Sequence, residues 1–184
     1  VTEMIYGVKV KQGLFSADEC ARLIALDYAW EPSQVSDAGP TDVVNPTGKT
    51  AEYKLVPLEP ATEWIYRRLS QILQASGAFG FAVEEISAPL KVQKYAQGGF
   101  HAWHTDIGNP KNTRRKIAIS AQLCGPGDYD GGELQFFDHP DPVVGPKDQG
   151  CAIFYPAFLP HRVTEVTRGT RYALTAWCLG PPFK

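Results

Sequence analysis

With four histidines, one methionine and no Cys-x-x-Cys pair, this 184-residue chain has few ways to build a metal or redox site. Its cysteines, Cys20, Cys124, Cys151 and Cys178, are widely spaced, and three lie in apolar runs where free Cys behaves as a small buried hydrophobe. A disulfide framework is therefore not expected, and a reducing compartment is. There is no basic excess: Lys+Arg 18 against Asp+Glu 20 gives a formal charge of −2, which argues against nucleic-acid or other polyanion binding. The local run Arg114-Arg115-Lys116 reads as a solvated strand entrance ahead of a substrate-binding patch. No apolar run reaches the length of a membrane span. Residues Val1 to Gly7 show no basic n-region followed by an apolar h-region. A cytoplasmic protein without membrane contact is the expectation. No helix-opening Gly-x-x-x-x-Gly-Lys is found, so a nucleoside triphosphate site is not expected.

What is present suits short strands and tight turns. Gly 17 and Pro 15 punctuate a chain whose 43% hydrophobic content can build a sizeable core. Ser16-Ala17-Asp18-Glu19 has capping-box form, and Leu23, Ile24 and Leu26 follow, which predicts an amphipathic helix over about 17–29. Residues 35–49 are rich in turn formers and read as a loop, a candidate lid. Pro60 opens a second predicted helix with Trp64 or Ile65, Leu69, Ile72 and Leu73 at helical spacing, stopped by Gly77. After Pro89 the pattern changes to strands: Leu90–Tyr95, Ile117–Leu123, Glu133–Phe137, Cys151–Tyr155, Arg162–Val166 and Tyr172–Cys178. With no repeat or linker, the expectation is one domain, 1–184. It is mainly β (α+β), a sandwich or jelly roll over 90–182 backed by a helical support region, 1–89.

His104 and Asp106 stand in Trp103-His104-Thr105-Asp106, and in a strand or its frayed end residues i and i+2 share a face. His161 begins a predicted strand after Pro156-Ala157-Phe158-Leu159-Pro160, far enough along the chain to meet them across a folded sheet. Two imidazoles and a carboxylate form the ligand set that holds non-haem Fe(II) with open positions. The competing reading is a structural hydrogen-bonded His–Asp pair. His139, in Asp138-His139-Pro140-Asp141, reads as surface loop. His101 competes as a ligand, but in an extended segment it faces away from His104.

Arg171 opens the apolar run Tyr172-Ala173-Leu174-Thr175-Ala176-Trp177, where a charge is costly without a partner. A guanidinium grips a carboxylate with two parallel hydrogen bonds, so a dicarboxylate fits, as does a protein acid. The Gly-Gly pairs need only backbone reasons: Gly98-Gly99 permits a turn before the ligand segment, and Gly131-Gly132 a bulge or close approach.

With these residues in view, the chain resembles the 2-oxoglutarate/Fe(II) dioxygenases of the prolyl 4-hydroxylase-like branch, including bacterial PKHD-type hydroxylases. The resemblance covers roughly 90–182. It is carried by Tyr95-Ala96-Gln97-Gly98-Gly99, Trp103-His104-Thr105-Asp106, Asp128-Tyr129-Asp130-Gly131-Gly132-Glu133-Leu134, Pro160-His161-Arg162-Val163 and Arg171 through Trp177, in family order. It implies a double-stranded β-helix with iron on His104, Asp106 and His161. It further implies 2-oxoglutarate chelated to the iron with its far carboxylate on Arg171, Tyr95 lining that pocket, and Gln122 where relatives often present a Tyr. Thr175 shares the face of Arg171 by alternation and is a further cosubstrate contact. Trp177 continues that face as a substrate wall or as core packing, and Phe100, Trp103 and Tyr129 are placed near the mouth as substrate-positioning aromatics.

The implied cofactors are Fe(II), 2-oxoglutarate and O₂, with ascorbate as a possible reductant. The implied reaction hydroxylates an unactivated C–H bond of a prolyl residue in a protein or peptide, or of a free amino-acid-like molecule, releasing succinate and CO₂. Two alternatives stand beside it. Nucleic-acid dealkylation is disfavoured by the charge and by the lack of a downstream arginine pair, and a non-enzymatic jelly-roll module has no need of Arg171.

Overall fold

The computed structural model describes residues 2–183 apart from positions 6, 34, 37–41, 44–46, 76, 109–111 and 139. Two antiparallel sheets face each other. The larger runs from β1 (Thr2–Ile5) and β2 (Val8–Lys11) through β15 (Ala152–Pro156) and β11 (Arg115–Gln122). It continues through β18 (Arg171–Leu179), β9 (Leu90–Tyr95) and β7 (Glu52–Val56) to β3 (Glu31–Pro32), with β8 (Glu85–Ile86) paired to β18. The smaller sheet orders β14 (Val143–Val144), β13 (Leu134–Phe136), β16 (His161–Val163), β10 (Phe100–His104) and β6 (Lys49–Thr50). Two ribbons, β12 (Tyr129–Gly131) with β17 (Val166–Gly169) and β4 (Val35–Ser36) with β5 (Asp42–Val43), complete the strands.

The central strand β11 is buried on both faces, and the two faces carry different residues. Ile117, Ile119 and Ala121 pack with Leu23 of α1 (Ala17–Ala25) and with Ile65 and Leu69 of α2 (Glu63–Ala75). Ala118 instead joins Tyr95, Tyr155 and Trp177 against Leu134, Phe136 and Val163 of the smaller sheet. The helices therefore cover the outer face of the larger sheet, and its inner face is left to build a site. This is a jelly-roll arrangement backed by helices, as the sequence suggests.

The expected capping box is formed: the Ser16 hydroxyl accepts from the Glu19 N–H (3.2 Å) and the Glu19 carboxylate from the Ser16 N–H (2.8 Å). The helix ends at Ala25 and not at 29. Its last carbonyls are taken by the buried Lys54, whose ammonium donates to Ile24 O (2.6 Å) and Leu26 O (2.5 Å). Helix α2 begins at Glu63, after a turn in which the Thr62 hydroxyl accepts from the Glu59 N–H, and Gly77 opens a short 3-10 segment to Gly80.

Residues before Leu90 are more than helical support. Strands β2, β7 and β6 pair with β15, β9 and β10, so this region adds strands to both sheets. Of the expected loop 35–49, positions 37–41 and 44–46 lie outside the described residues, as does His139; β4 and β5 pair with each other, and Lys49 begins β6. The expected strand Arg162–Val166 is two strands, because the chain leaves β16 in one sheet to pair as β17 with β12. At that crossing Gly131 is a bulge residue with φ 67°, and a Cβ there would lie 2.0 Å from Glu165 O. The turn before β10 is likewise fixed by Gly98 (φ 80°), whose N–H donates to Val166 O.

Candidate metal centre

His104 ends β10, His161 begins β16, and the two are direct partners in the smaller sheet. Asp106 lies two residues past the end of β10, and its backbone N–H donates to Ala157 O (2.8 Å) in the turn that leads to His161. The three side chains converge, with one ligand atom from each all within 4.8 Å of one another. His104 Nε2 and His161 Nε2 stand 3.9 and 3.7 Å from the two Asp106 oxygens, too long for hydrogen bonds. The carboxylate is thus not the partner of either ring, as the competing structural reading requires. Both imidazoles are oriented from behind: His104 Nδ1–H donates to Ala102 O (2.8 Å) and His161 Nδ1–H to Leu159 O (2.9 Å). A carbonyl only accepts, so each Nε2 carries a lone pair directed at the common point. The donor set and the tautomers fit a divalent iron.

His101 departs from the expected pattern. A bulge between His101 and His104 inserts a residue relative to β16, so both rings fall on one face and stack, with centroids 3.5 Å apart. His101 is not part of the converging cluster.

Burial, reinforced by the neighbouring His161, pushes the His104 pKa down from its ordinary 6.5 to about 4. Burial acts the same way on His101, followed by Lys49 and His104. For Asp106, burial pushes upward, but His161 and His104, helped by Trp177 and Arg115, outweigh it and hold the carboxylate below its usual value. These directions set the stability of the metal-free protein. Between pH 6.5 and about 4 the unfolded chain protonates this histidine while the folded one resists, so stability falls as pH drops through that window. The denaturation midpoint is expected to fall between pH 7 and pH 4.5, and to fall less in His104→Gln. An equal fall in both proteins contradicts neutral, buried imidazoles.

Facing the triad, the inner face of the larger sheet presents Arg171, Thr175 and Trp177 on β18, Tyr95 on β9 and Gln122 on β11. Arg171 is 1% exposed and pairs directly with Tyr95, whose ring centroid is 5.3 Å from the guanidinium carbon. Its Nη2 donates to Gln122 Oε1 (3.1 Å), and Gln122 is fixed in turn by donating to Pro146 O (3.1 Å). Arg171 Nε has no hydrogen-bond partner, and the buried Tyr129 hydroxyl, which interacts with the Arg171 side chain, makes no bond of standard geometry. A buried guanidinium N–H without a partner is rare and costly, and an anion accepting from it would remove that cost.

Tyr129 is therefore fully buried beside Arg171, not at the mouth. Trp177 stands beside Asp106 and lowers its pKa, and its indole N–H is without a partner of standard geometry. Trp103 is not brought to the triad: it is exposed, packed edge-on against Phe137, with the Arg162 guanidinium 4.8 Å from its ring. Thr175 is half-buried on β18 between Arg171 and Trp177.

Several residues at the site carry no motif. The Tyr155 ring packs 4.7 Å from His161, and burial, then Asp106 and Tyr95, raise its hydroxyl pKa well above the ordinary value. Arg115 is not simply solvated: its guanidinium lies 3.8 Å from the Trp177 ring centroid and donates to Asp106 O (3.3 Å). Lys49 is buried near Asp106 and Arg171. Burial, with Lys91 and Arg171, pulls its pKa down to about 7 against the opposing pull of Asp106. Alternation along β15 points to Tyr155; nothing in the turn-rich sequence around Lys49 distinguishes it from a surface lysine.

The profile of the 2OG-Fe(II) oxygenase superfamily matches residues 90–179. A PKHD-type hydroxylase of Pseudomonas putida is 30% identical over 173 residues, covering 90% of this chain and 75% of its own length. The chain belongs to the 2OG-Fe(II) oxygenases, among the PKHD-type hydroxylases. A PKHD-type hydroxylase of Picosynechococcus sp. is 29% identical over 125 residues; the match spans 67% of this chain and 57% of that relative. Among solved structures, a P. putida prolyl-4-hydroxylase superposes with TM-score 0.72 at 20% identity, covering 95% of this chain and 93% of its own. A Trichoplax adhaerens prolyl hydroxylase, solved with a hypoxia inducible factor peptide, gives 0.73 at 14%, covering 94% and 83%. At such identities these structures share the oxygenase fold. No described helix is long and apolar enough to cross a membrane.

Proposed function

We propose that the protein is an Fe(II)- and 2-oxoglutarate-dependent dioxygenase that hydroxylates an unactivated C–H bond and releases succinate and CO₂. Its substrate is a prolyl residue of a protein or peptide, or a free amino-acid-type molecule. Ascorbate serves as reductant. One observation carries the reading: three convergent ligand atoms stand on the smaller sheet, and the inner face of the larger sheet packed against it carries the buried Arg171, whose Nε has no hydrogen-bond partner. A dicarboxylate with a chelating keto acid satisfies both.

When bound, the iron with 2-oxoglutarate and O₂ supplies the C–H oxidation. The chain's own residues prepare that chemistry. Ala102 O and Leu159 O hold the two histidines in the tautomer that leaves Nε2 free, and Ala157 O holds the Asp106 backbone. Gln122 orients Arg171 toward the far carboxylate. Tyr155 and Phe136 pack against His161 and keep water from that side of the centre. The prolyl class draws on the names of the structural neighbours, which are prolyl hydroxylases. The described cysteines, all free and buried, support a cytoplasmic location.

The test supplies Fe(II), 2-oxoglutarate and either prolyl peptides or free amino acids, and reads succinate together with a gain of one oxygen in the substrate. Succinate formation that depends on Fe(II) and rises with one substrate is expected. Succinate formation indifferent to Fe(II) contradicts the proposal.

A further inference from the structure

Lys49 is a buried cation near Asp106 and Arg171 that iron and 2-oxoglutarate leave without a counter-charge. It stands on β6 directly opposite His101 of β10, one step along the sheet from the His104–His161 pair. It is 7% exposed, its Nζ donates to Gln93 Oε1 at 3.1 Å, and it lies 5.9 Å from the Tyr95 ring centroid. An ammonium has three N–H donors, and a single amide contact leaves a buried one poorly satisfied, so that an anion beside Lys49 would favour its charged form. No carboxylate of the described residues forms an ion pair with Lys49. Among the described residues its charged neighbours Lys91 and Arg171 add positive charge, and the acid that acts on it is Asp106.

Charge counting assigns the missing partner. Fe(II) is balanced by Asp106 and one carboxylate of 2-oxoglutarate, and Arg171 by the other. Nothing in that set balances Lys49. A polypeptide bound through an internal residue brings no main-chain carboxylate to Lys49, whereas a free amino acid brings one, with its own ammonium group held away from Lys49 and Arg171. We propose that Lys49, braced by Gln93, anchors a carboxylate of the substrate, so that the enzyme acts on a small carboxylate-bearing molecule of free amino-acid type. This rests on the oxygenase reading and narrows its substrate class.

The experiment uses the full chain loaded with Zn(II), which does not turn over, and 2-oxoglutarate. Calorimetry then measures binding of each common L-amino acid, L-proline included, beside its primary amide. At least one acid is expected to bind with its amide weaker by about 30-fold or more, the loss typical of truncating one partner of a buried charge pair. In Lys49→Met that acid–amide difference should vanish, and Lys49→Arg should restore part of it. Three results overturn the assignment: no acid binds, acids and amides bind alike in the wild type, or Lys49→Met weakens 2-oxoglutarate as much as Arg171→Ala does. The wild-type comparison stands whether or not a variant folds. If the loaded wild type binds no 2-oxoglutarate, the oxygenase reading itself falls; if it binds 2-oxoglutarate without acid–amide discrimination, only the role of Lys49 does.

Discussion

Arg171→Ala is expected to weaken 2-oxoglutarate binding by about 30- to 3,000-fold while changing metal affinity only a few-fold. The asymmetry follows from where the residue sits. Arg171 is on β18 of the larger sheet, whereas His104 and His161 are partners in the smaller one. Its guanidinium contacts Gln122 and Tyr95, neither of which is a metal ligand. Removing it leaves the far carboxylate of the cosubstrate buried opposite Gln122 and Tyr129 with no cation, which is the costly way to break a buried ion pair. Lysine should recover part of the loss, since it restores the charge without the planar fork. Isothermal titration of metal-loaded protein checks this, and an equal loss of metal and 2-oxoglutarate affinity would show instead that Arg171 merely holds the sheet together.

Asp106→Ala should lower Fe(II) affinity by more than about 100-fold, beyond the effect of losing an outer-shell partner, and abolish coupled hydroxylation. The metal-free variant should remain folded. The carboxylate makes no hydrogen bond to either histidine, and the segment is tied down by the backbone bond from Asp106 N–H to Ala157 O, which alanine preserves. The substitution also removes a buried charge that the empty site must hold between two imidazoles. Metal content and the thermal midpoint of the metal-free protein are the two readouts. A variant that retains stoichiometric iron shows that the ligand assignment is wrong.

The converging His104, Asp106 and His161 cluster was legible because a short His-x-Asp and a histidine at a strand start are local patterns; that His161 meets His104 on a neighbouring strand of one sheet, and not across the two sheets, is set by the pairing of β10 with β16. Arg171 was legible for a different reason, the cost of a charge at the head of an apolar strand. The bulge that stacks His101 on His104 was not, since alternation assumes a regular strand and the inserted residue is set by pairing with β16. Strands β2, β6 and β7 were missed because segments of two to five residues have too little length to show a period. Tyr129 and Lys49 share a cause. Each lies in a turn-rich stretch that reads as surface, and only the closure of the sandwich buries them. Arg115 was misread on charge alone, although its stem and guanidinium cover the Trp177 ring.

The proposed function requires that His104, Asp106, His161 and Arg171 form one site with two ends. Anaerobic titration of 2-oxoglutarate into the Fe(II)-loaded protein tests it most directly. One saturable site is expected, lost without metal, lost in Asp106→Ala and strongly weakened in Arg171→Ala. No binding to the iron-loaded protein, or binding of equal strength with and without metal, would contradict it.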